Sequence, residues 1–513
     1  MRLLFECTYV FDHPYVNSGI QRVVRNVINN LGALEGDIEC LPVVLKNDKV
    51  YAVRKLAPGL REQIVSNTQE WFEKTRNHHW LLYHRLADSL KLEQIPLLQT
   101  ALKNLFRAGS FLYILPFGLV LLALSRQRIY ARTNPWFSRR KELFWSLHQR
   151  LEESTGLQGK PLFQWFFRQI FRFCSLSFML PWELARLMAG DDIDMQRAYE
   201  INCCKGDVLV LLDSSWHNDF FSHAERLRAD GIGIVGVVYD LIPLTHPQFC
   251  DAPLVKVFDY WFEWIANIAD GFIAISETIS NQVRAEITRR LGPEEAGKRW
   301  YGHFHLGSEL DNDHQTGRVR QRVQKLFSEN RSIYLMVGTI EPRKNHGYLL
   351  DAFEHLWSAG LPVTLCMVGR IGWKCAPLIA RIRKHPELGR RLFMLNDLSD
   401  TELEFCYRNS KALVFPSYVE GFGLPLVEAM QRGLSAMASD IPVFHEIGGE
   451  FIAYFDLNKP NSLAELVRKF EDHGKLPAVK ELSEWQWPGW RDSTRHLIQE
   501  IVINSRSQAD LKK

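Results

Sequence analysis

The chain has 513 residues, is 46% hydrophobic and 24% charged, and carries a formal net charge of +3. These proportions exclude a disordered or fibrous polymer, fit two or three globular domains with sizeable cores, and give bulk electrostatics no reason to hold nucleic acid. Nine cysteines, with no pair at the Cys-x-x-Cys spacing and only Cys203 and Cys204 adjacent, read as reduced thiols of a cytosolic protein. The opening Met1 to Glu6 sets an acid inside a short apolar run, which argues against a secretory leader.

Residues 2–10 read as a first strand. A loop through Asp12, Pro14 and Asn17 then reaches Gly19, after which Ile20, Val23, Val24, Val27, Ile28 and Leu31 recur at helical spacing. A second strand is expected over 38–44, and the alternation of strand and helix then stops until Asp207. The intervening insert, about 60–195, has its own character. Residues 103–186 carry 13 basic and 4 acidic side chains, a local +9 that leaves the remainder at −6, so one surface prefers an anionic partner.

At its centre, residues 108–125 are eighteen without a charge, which borders on a membrane span. A single crossing would split one sheet across a bilayer, and Arg168 and Arg172 interrupt the next apolar stretch, so a return span is not expected. Two readings stand for the insert. One is a surface-lying element with Arg126, Arg128, Arg132, Arg139, Arg140 and Lys141 facing an anionic membrane; the other is a helical subdomain packed on the core.

From Asp207 the alternation returns. Strands are expected over 208–212, 233–238, 272–275 and 303–306, then a polar linker over 311–318, then strands over 333–337, 363–368, 393–395, 412–415, 435–438 and 452–455. A helix over 490–503 follows Pro488 and Gly489. The pattern is two doubly wound α/β domains whose strand ends face a shared cleft. The expected division is 1–310, 311–489 and a last helix, 490–513, which in similar proteins crosses back to the first domain.

The most informative stretch follows the strand at 412–415. It runs Pro416, Ser417, Tyr418, Val419, Glu420, Gly421, Phe422, Gly423, Leu424, Pro425, Leu426, Val427, Glu428, Ala429, Met430. A strand passes through two glycines into a helix with proline near its first position, so unpaired N–H groups and the positive end of the helix dipole are on offer to phosphate. Taken singly, Glu428 fits a helix-start acid and Glu420 an exposed loop charge. The whole string, with two glutamates separated by seven residues, resembles the signature of the retaining glycosyltransferases of family 4. The string Gly338, Thr339, Ile340, Glu341, Pro342, Arg343, Lys344, Asn345 is similar to that family's second signature.

The resemblance covers residues 1–31 and 207–503 and implies the GT-B architecture of two Rossmann-like domains. It implies transfer of a hexose, with retention, from a nucleotide diphosphate sugar to a glycan acceptor, one carried on a polyprenyl diphosphate included. The Glu-Pro-Arg-Lys-Asn variant is similar to bacterial surface-polysaccharide mannosyltransferases, which implies GDP-mannose as donor and a place at the cytoplasmic face of the inner membrane. By the same resemblance Arg343 and Lys344 face the leaving diphosphate, Glu420 the transferred sugar and Glu428 the nucleotide ribose. The backbone of Gly421, Phe422, Gly423, Leu424 and Pro425 meets phosphate and sugar, Gly19 and Gly338 approach the diphosphate, and Gly369 and Arg370 seat the base.

Tyr239 and Asp240 stand where relatives show His-Asp, so Asp240 is expected at the sugar or acceptor, with Tyr239 and Ser276 as further contacts. Ser276 also reads as a helix cap. No cofactor or divalent metal is expected, because the Asp-x-Asp strings at 192–194 and 311–313 do not follow strands. A catalytically silent nucleotide-sugar-binding scaffold of a membrane glycan-assembly complex is the alternative. The Tyr239 replacement leaves it open, and the intact Arg343, Lys344, Glu420 and Glu428 argue against it.

Overall fold

The computed structural model describes residues 1–14, 19–32, 38–57, 82, 86, 98–106, 193, 196–217, 220–309, 319–328 and 331–511. The chain divides into two compact units, one of residues 1–52 and 200–513, the other of residues 53–199. In the second unit residues 98–106 are helical, Arg197 Nη2 donates to the Leu56 carbonyl (3.2 Å), and the Arg54 guanidinium lies 4.7 Å from the Tyr199 ring centre. The apolar segment 108–125, the aromatic stretch after it and the aspartates of both Asp-x-Asp strings lie outside the described residues. Among those described, no helix is long and apolar enough to cross a membrane.

The first unit contains two sheets. The N-terminal lobe has β1 (Arg2–Glu6), β2 (Glu39–Lys46), β3 (Lys49–Val53), β4 (Ala198–Ile201), β5 (Val208–Leu211), β6 (Gly233–Val238), β7 (Gly271–Ala274) and β8 (Trp300–His303). Their order is β4-β3-β2-β1-β5-β6-β7-β8, with parallel pairing from β2 through to β8. The C-terminal lobe has β9 (Ser332–Val337), β10 (Val363–Val368), β11 (Leu392–Leu395), β12 (Ala412–Phe415), β13 (Ser435–Ser439) and β14 (Ala453–Phe455), in the order β11-β10-β9-β12-β13-β14, all parallel. This is the GT-B arrangement of two Rossmann-like sheets. Central strands such as β5, β10 and β12 are buried at every position because helices cover both sheet faces, so they read as unbroken apolar runs.

The helices that shape the site are α1 (Thr8–Asp12), α2 (Gly19–Leu31), α3 (Glu277–Leu291), α4 (His346–Ser358), α5 (Asp400–Asn409), α6 (Leu424–Gln431), α7 (Pro442–Gly448) and α8 (Trp490–Leu511). Helix α8 packs on β7, β8 and α2. Ser493 Oγ donates to the His305 carbonyl (2.6 Å), and Gln508 Nε2 to that of Lys298 (2.8 Å).

Three local features differ from the sequence reading. The first strand stops at Glu6, because the Glu6 and Asp213 carboxylates accept the N–H groups of Thr8 and Val10 (2.7 Å each) and turn the chain into α1. Strand β3 is an antiparallel hairpin partner of β2, turned by Asn47 and Asp48 at φ 51° and 58°. Strand β8 ends at His303, level with the end of its partner β7, rather than running over 303–306.

Candidate active site

In the C-terminal sheet the strand order reverses between β9 and β12, and open α/β sheets bind ligands outside the carboxyl ends of strands at such a point. The two signature loops leave these two strands. Gly338 and Gly369 have φ of 152° and 155°, and a Cβ on Gly369 would lie 1.9 Å from the Gly338 carbonyl oxygen. Only glycine admits that approach. It lets Ile340 N donate to the Arg370 carbonyl (2.8 Å), which pins the loop ahead of the Pro342–Lys344 turn. Tyr418 N donates to the Arg343 carbonyl (2.8 Å), so the two loops are joined.

At their junction the Glu420 carboxylate accepts from Arg343 Nη1 (2.7 Å) and Lys344 Nζ (2.5 Å), while Arg343 Nε reaches Glu341 (2.6 Å). Lys344 also lies 4.6 Å from the Phe415 ring centre. Glu420 and Lys344 are almost wholly buried. Burial alone would push the Glu420 carboxyl up, but the two cations outweigh it and hold it at about 2. Beyond Glu420, Gly423 takes a left-handed conformation (φ 106°) at the N-cap of α6, and Leu424 and Pro425 open the helix.

One helical turn on, Glu428 is 3% exposed. Its Oε2 accepts from the Tyr407 hydroxyl on α5 (2.7 Å), and its Oε1 from Arg22 Nη1 (2.5 Å), which comes from α2 of the other lobe, three residues after Gly19. Arg22 Nη2 donates to the Glu309 carbonyl (3.0 Å). Gly19 itself opens α2, with nothing within 4 Å of where a Cβ would sit.

The N-terminal lobe meets the Glu420–Pro425 loop through backbone. A Cβ on Gly421 would lie 2.1 Å from the Tyr239 carbonyl oxygen. The Tyr239 phenol does not serve the loop, since its hydroxyl donates to the Leu212 carbonyl (2.6 Å) within its own lobe. That geometry corrects the expectation of a Tyr239 hydroxyl contact to sugar. Asp240 accepts from Ile242 N (3.0 Å); burial raises its pKa, against the pull of Arg343. Ser276 both caps α3, accepting from Ile279 N (3.2 Å), and donates to the Gly421 carbonyl (2.9 Å). The arrangement brings together Gly338, Arg343, Lys344, Gly369, Arg370, Glu420 to Pro425 and Glu428, with Asp240 and Ser276 carried to them by the N-terminal lobe, whereas Gly19 only opens the helix that brings Arg22 to Glu428.

The N-terminal sheet has its own reversal between β1 and β5, and there a second group gathers that sequence reading missed. Glu6 ends β1 and Asp213 follows β5, both fully buried. Burial, and for Glu6 also the nearby Asp213 charge, raises both carboxyl pKa values above the usual range. Tyr9 stacks on His13 (4.2 Å between ring centres) and lies 5.2 Å from His217, whose pKa burial lowers to about 4. The folded lobe therefore binds more protons at Glu6 than the unfolded chain does. Its stabilising contribution is complete below the ordinary carboxylate pKa of about 4.3 and is lost as pH rises toward the raised value. Glu6→Gln is expected to flatten this slope, so denaturant midpoints from pH 5 to 9 should fall in the parent and change less in the variant.

Among the described residues one trio, His303, His305 and Glu446, gathers possible metal-ligand atoms within 4.8 Å. The Glu446 oxygens already accept four hydrogen bonds, from Glu277 N, Thr278 N, Thr278 Oγ1 and His305, so an ion would have to displace donors that satisfy the carboxylate. Arg22, Tyr407 and Glu446 also escaped sequence reading, because their partners lie 21 to 406 residues away and no local spacing marks such pairs.

Residues 318–481, which hold the C-terminal lobe, match the family of glycosyl transferases group 1. The chain resembles bacterial polysaccharide mannosyltransferases. It is 34% identical over 304 residues to the serotype-specific mannosyltransferase WbdA of Escherichia coli, covering 58% of this chain and 37% of that protein. It is 31% identical over 150 residues to the O-antigen chain mannosyltransferase RfbU of Salmonella typhimurium, covering 29% of this chain and 40% of that one. The chain thus spans well under half the length of these relatives. A crystal structure of TarM superposes with a TM-score of 0.43 at 17% identity, over 60% of this chain and 56% of that chain.

Proposed function

We propose that the protein is a retaining, metal-independent mannosyltransferase that takes GDP-mannose and extends a surface polysaccharide, with its acceptor presented at the cytoplasmic face of the inner membrane. The observation that carries this reading is the pairing of one buried carboxylate, Glu420, with both Arg343 and Lys344 at the start of α6, one turn before Glu428. Arg343 and Lys344 supply the positive charge that a departing diphosphate needs, and α6 adds its N–H groups. Glu420 holds the cations in place and accepts hydroxyl donors of the sugar, while Glu428, oriented by Tyr407 and Arg22, does the same for the ribose.

In the transfer step the bond from the sugar C1 to the phosphate oxygen breaks and a bond from C1 to the acceptor oxygen forms on the same face. The acceptor proton passes to the departing phosphate oxygen, so no side-chain base is required. Charge neutralisation by Arg343 and Lys344 makes a divalent ion unnecessary.

The test is a panel of nucleotide sugars, read by thermal shift and by release of free sugar, with and without EDTA. GDP-mannose at about 100 times its dissociation constant should stabilise the protein by about 2.7 kcal/mol. Mannose release that persists in EDTA supports the proposal. Release that requires a divalent ion overturns metal independence, and donor binding without turnover under any acceptor condition would mark a nucleotide-sugar-binding scaffold instead.

A further inference from the structure

Glu446 lies on α7 of the C-terminal lobe, outside both signature loops, yet its side chain is spent on the opposite lobe. Oε1 accepts from Glu277 N (2.7 Å) and from His305 (2.8 Å), and Oε2 accepts from Thr278 N (2.9 Å) and Thr278 Oγ1 (2.6 Å). The first two N–H groups of α3 have no partner within their own helix, and the helix dipole favours a negative charge there. The carboxylate is held ionised, at about 2, by those donors and by His305, against the upward push of burial.

Two chains of contact run from this carboxylate to neighbouring residues of the donor loop. Through the first turn of α3 it fixes the segment whose N-cap, Ser276, donates to the Gly421 carbonyl (2.9 Å). Through His305 it fixes a ring cluster: His305 stacks on Trp487 (5.0 Å between centres), and both rings lie against Phe422, at 6.1 and 5.9 Å. Trp487 is itself tied down by its indole N–H on the Leu306 carbonyl (2.8 Å). Gly421 and Phe422 follow Glu420 directly.

We propose that Glu446 is a positioning residue for the donor loop: bridging the lobes, it holds the α3 N-terminus and His305 so that Ser276 and the Trp487 cluster set Gly421 and Phe422, and with them Glu420. The activity half of this proposal rests on the glycosyltransferase reading. The geometric half does not.

The test combines two readouts on the full chain. Glu446→Ala should lower the rate of mannose release from GDP-mannose by about 10-fold or more, while leaving GDP affinity within about threefold, since Arg343, Lys344 and Glu428 remain. Combined with Ser276→Ala, the double variant should be no slower than Glu446→Ala by more than about twofold, because Ser276 lies on a path that loss of Glu446 already disrupts. In parallel, hydrogen exchange over residues 418–424 should accelerate about 10-fold in Glu446→Ala, with strand β10 unchanged.

Multiplicative kinetic effects of the two substitutions, or unchanged exchange in the donor loop, would overturn the proposal. If Glu446→Ala fails to fold, Thr278→Val, which removes a single donor, is read the same way. Should the parent release no sugar from any donor, the glycosyltransferase reading falls, while the exchange experiment still decides whether Glu446 holds the loop.

Discussion

Under the proposed function, Lys344→Ala is expected to lower turnover of GDP-mannose by about 10²–10³-fold, the usual cost of deleting one preorganised charge that meets developing negative charge in a water-excluded site. Lys344 is 6% exposed, so its ammonium acts at low effective dielectric and cannot be replaced by solvent. Under the proposed mechanism the interaction strengthens as the diphosphate departs, so the loss should appear in kcat and in kcat/KM alike. A second consequence concerns Glu420. With both cations present its carboxyl sits at about 2 and stays ionised throughout the working range. With Arg343 alone its pKa rises, so the acid limb of the rate profile should move to higher pH in the variant. Steady-state kinetics from pH 5 to 8 check both effects. A Lys344→Ala enzyme within about threefold of the parent would remove the lysine from the transition state.

Gly421→Ala is expected to be nearly as damaging, by steric means alone. The new methyl would lie 2.1 Å from the Tyr239 carbonyl oxygen and 3.1 Å from Asp240 Cβ, across the contact between the lobes. The obstacle is backbone at the end of a buried parallel strand, so it cannot rotate aside as a side chain would. Relief requires the Glu420–Pro425 loop or the opposing lobe to withdraw by about 1 Å, and misplacement of that size can cost about 10²-fold in rate. Because each sheet keeps its own core, the thermal transition should move little while turnover collapses. A Gly423→Ala control separates this from backbone strain, since Gly423 has φ 106° and its obstacle is the Phe444 ring at 2.9 Å. Preserved turnover in Gly421→Ala would mean that the close approach of the two lobes is not part of the catalytic geometry.

The two signature loops were legible in sequence because their chemistry is local. A buried strand, a glycine that allows close backbone approach and a proline-led helix lie in consecutive residues, so the sequence alone places the strand-to-helix junction at 412–428 and the Arg343-Lys344 turn. The strand expected over 2–10 is shorter in the structure for the opposite reason. What ends it is the Asp213 carboxylate, 203 residues away, accepting the Val10 N–H. The expectation that the Tyr239 phenol meets the sugar rests on its standing where relatives show histidine, and a carbonyl of its own lobe takes its hydroxyl instead. Ser276 shows both behaviours: its role as a cap follows from its position before α3, whereas its bond to Gly421 spans 145 residues.

By itself, the sequence determined the α/β class, the two successive doubly wound patterns and the position of both signature loops at strand ends, because apolar period and glycine placement act within a dozen residues. Only the tertiary structure decided which charges neutralise one another and which lobe supports which loop. Glu420 is held by two cations of the other signature loop, Glu428 by an arginine 406 residues away, and the α3 N-terminus by Glu446. Such pairings follow from where the chain returns in space, and a buried charge accepts whichever partner that return brings within hydrogen-bond reach.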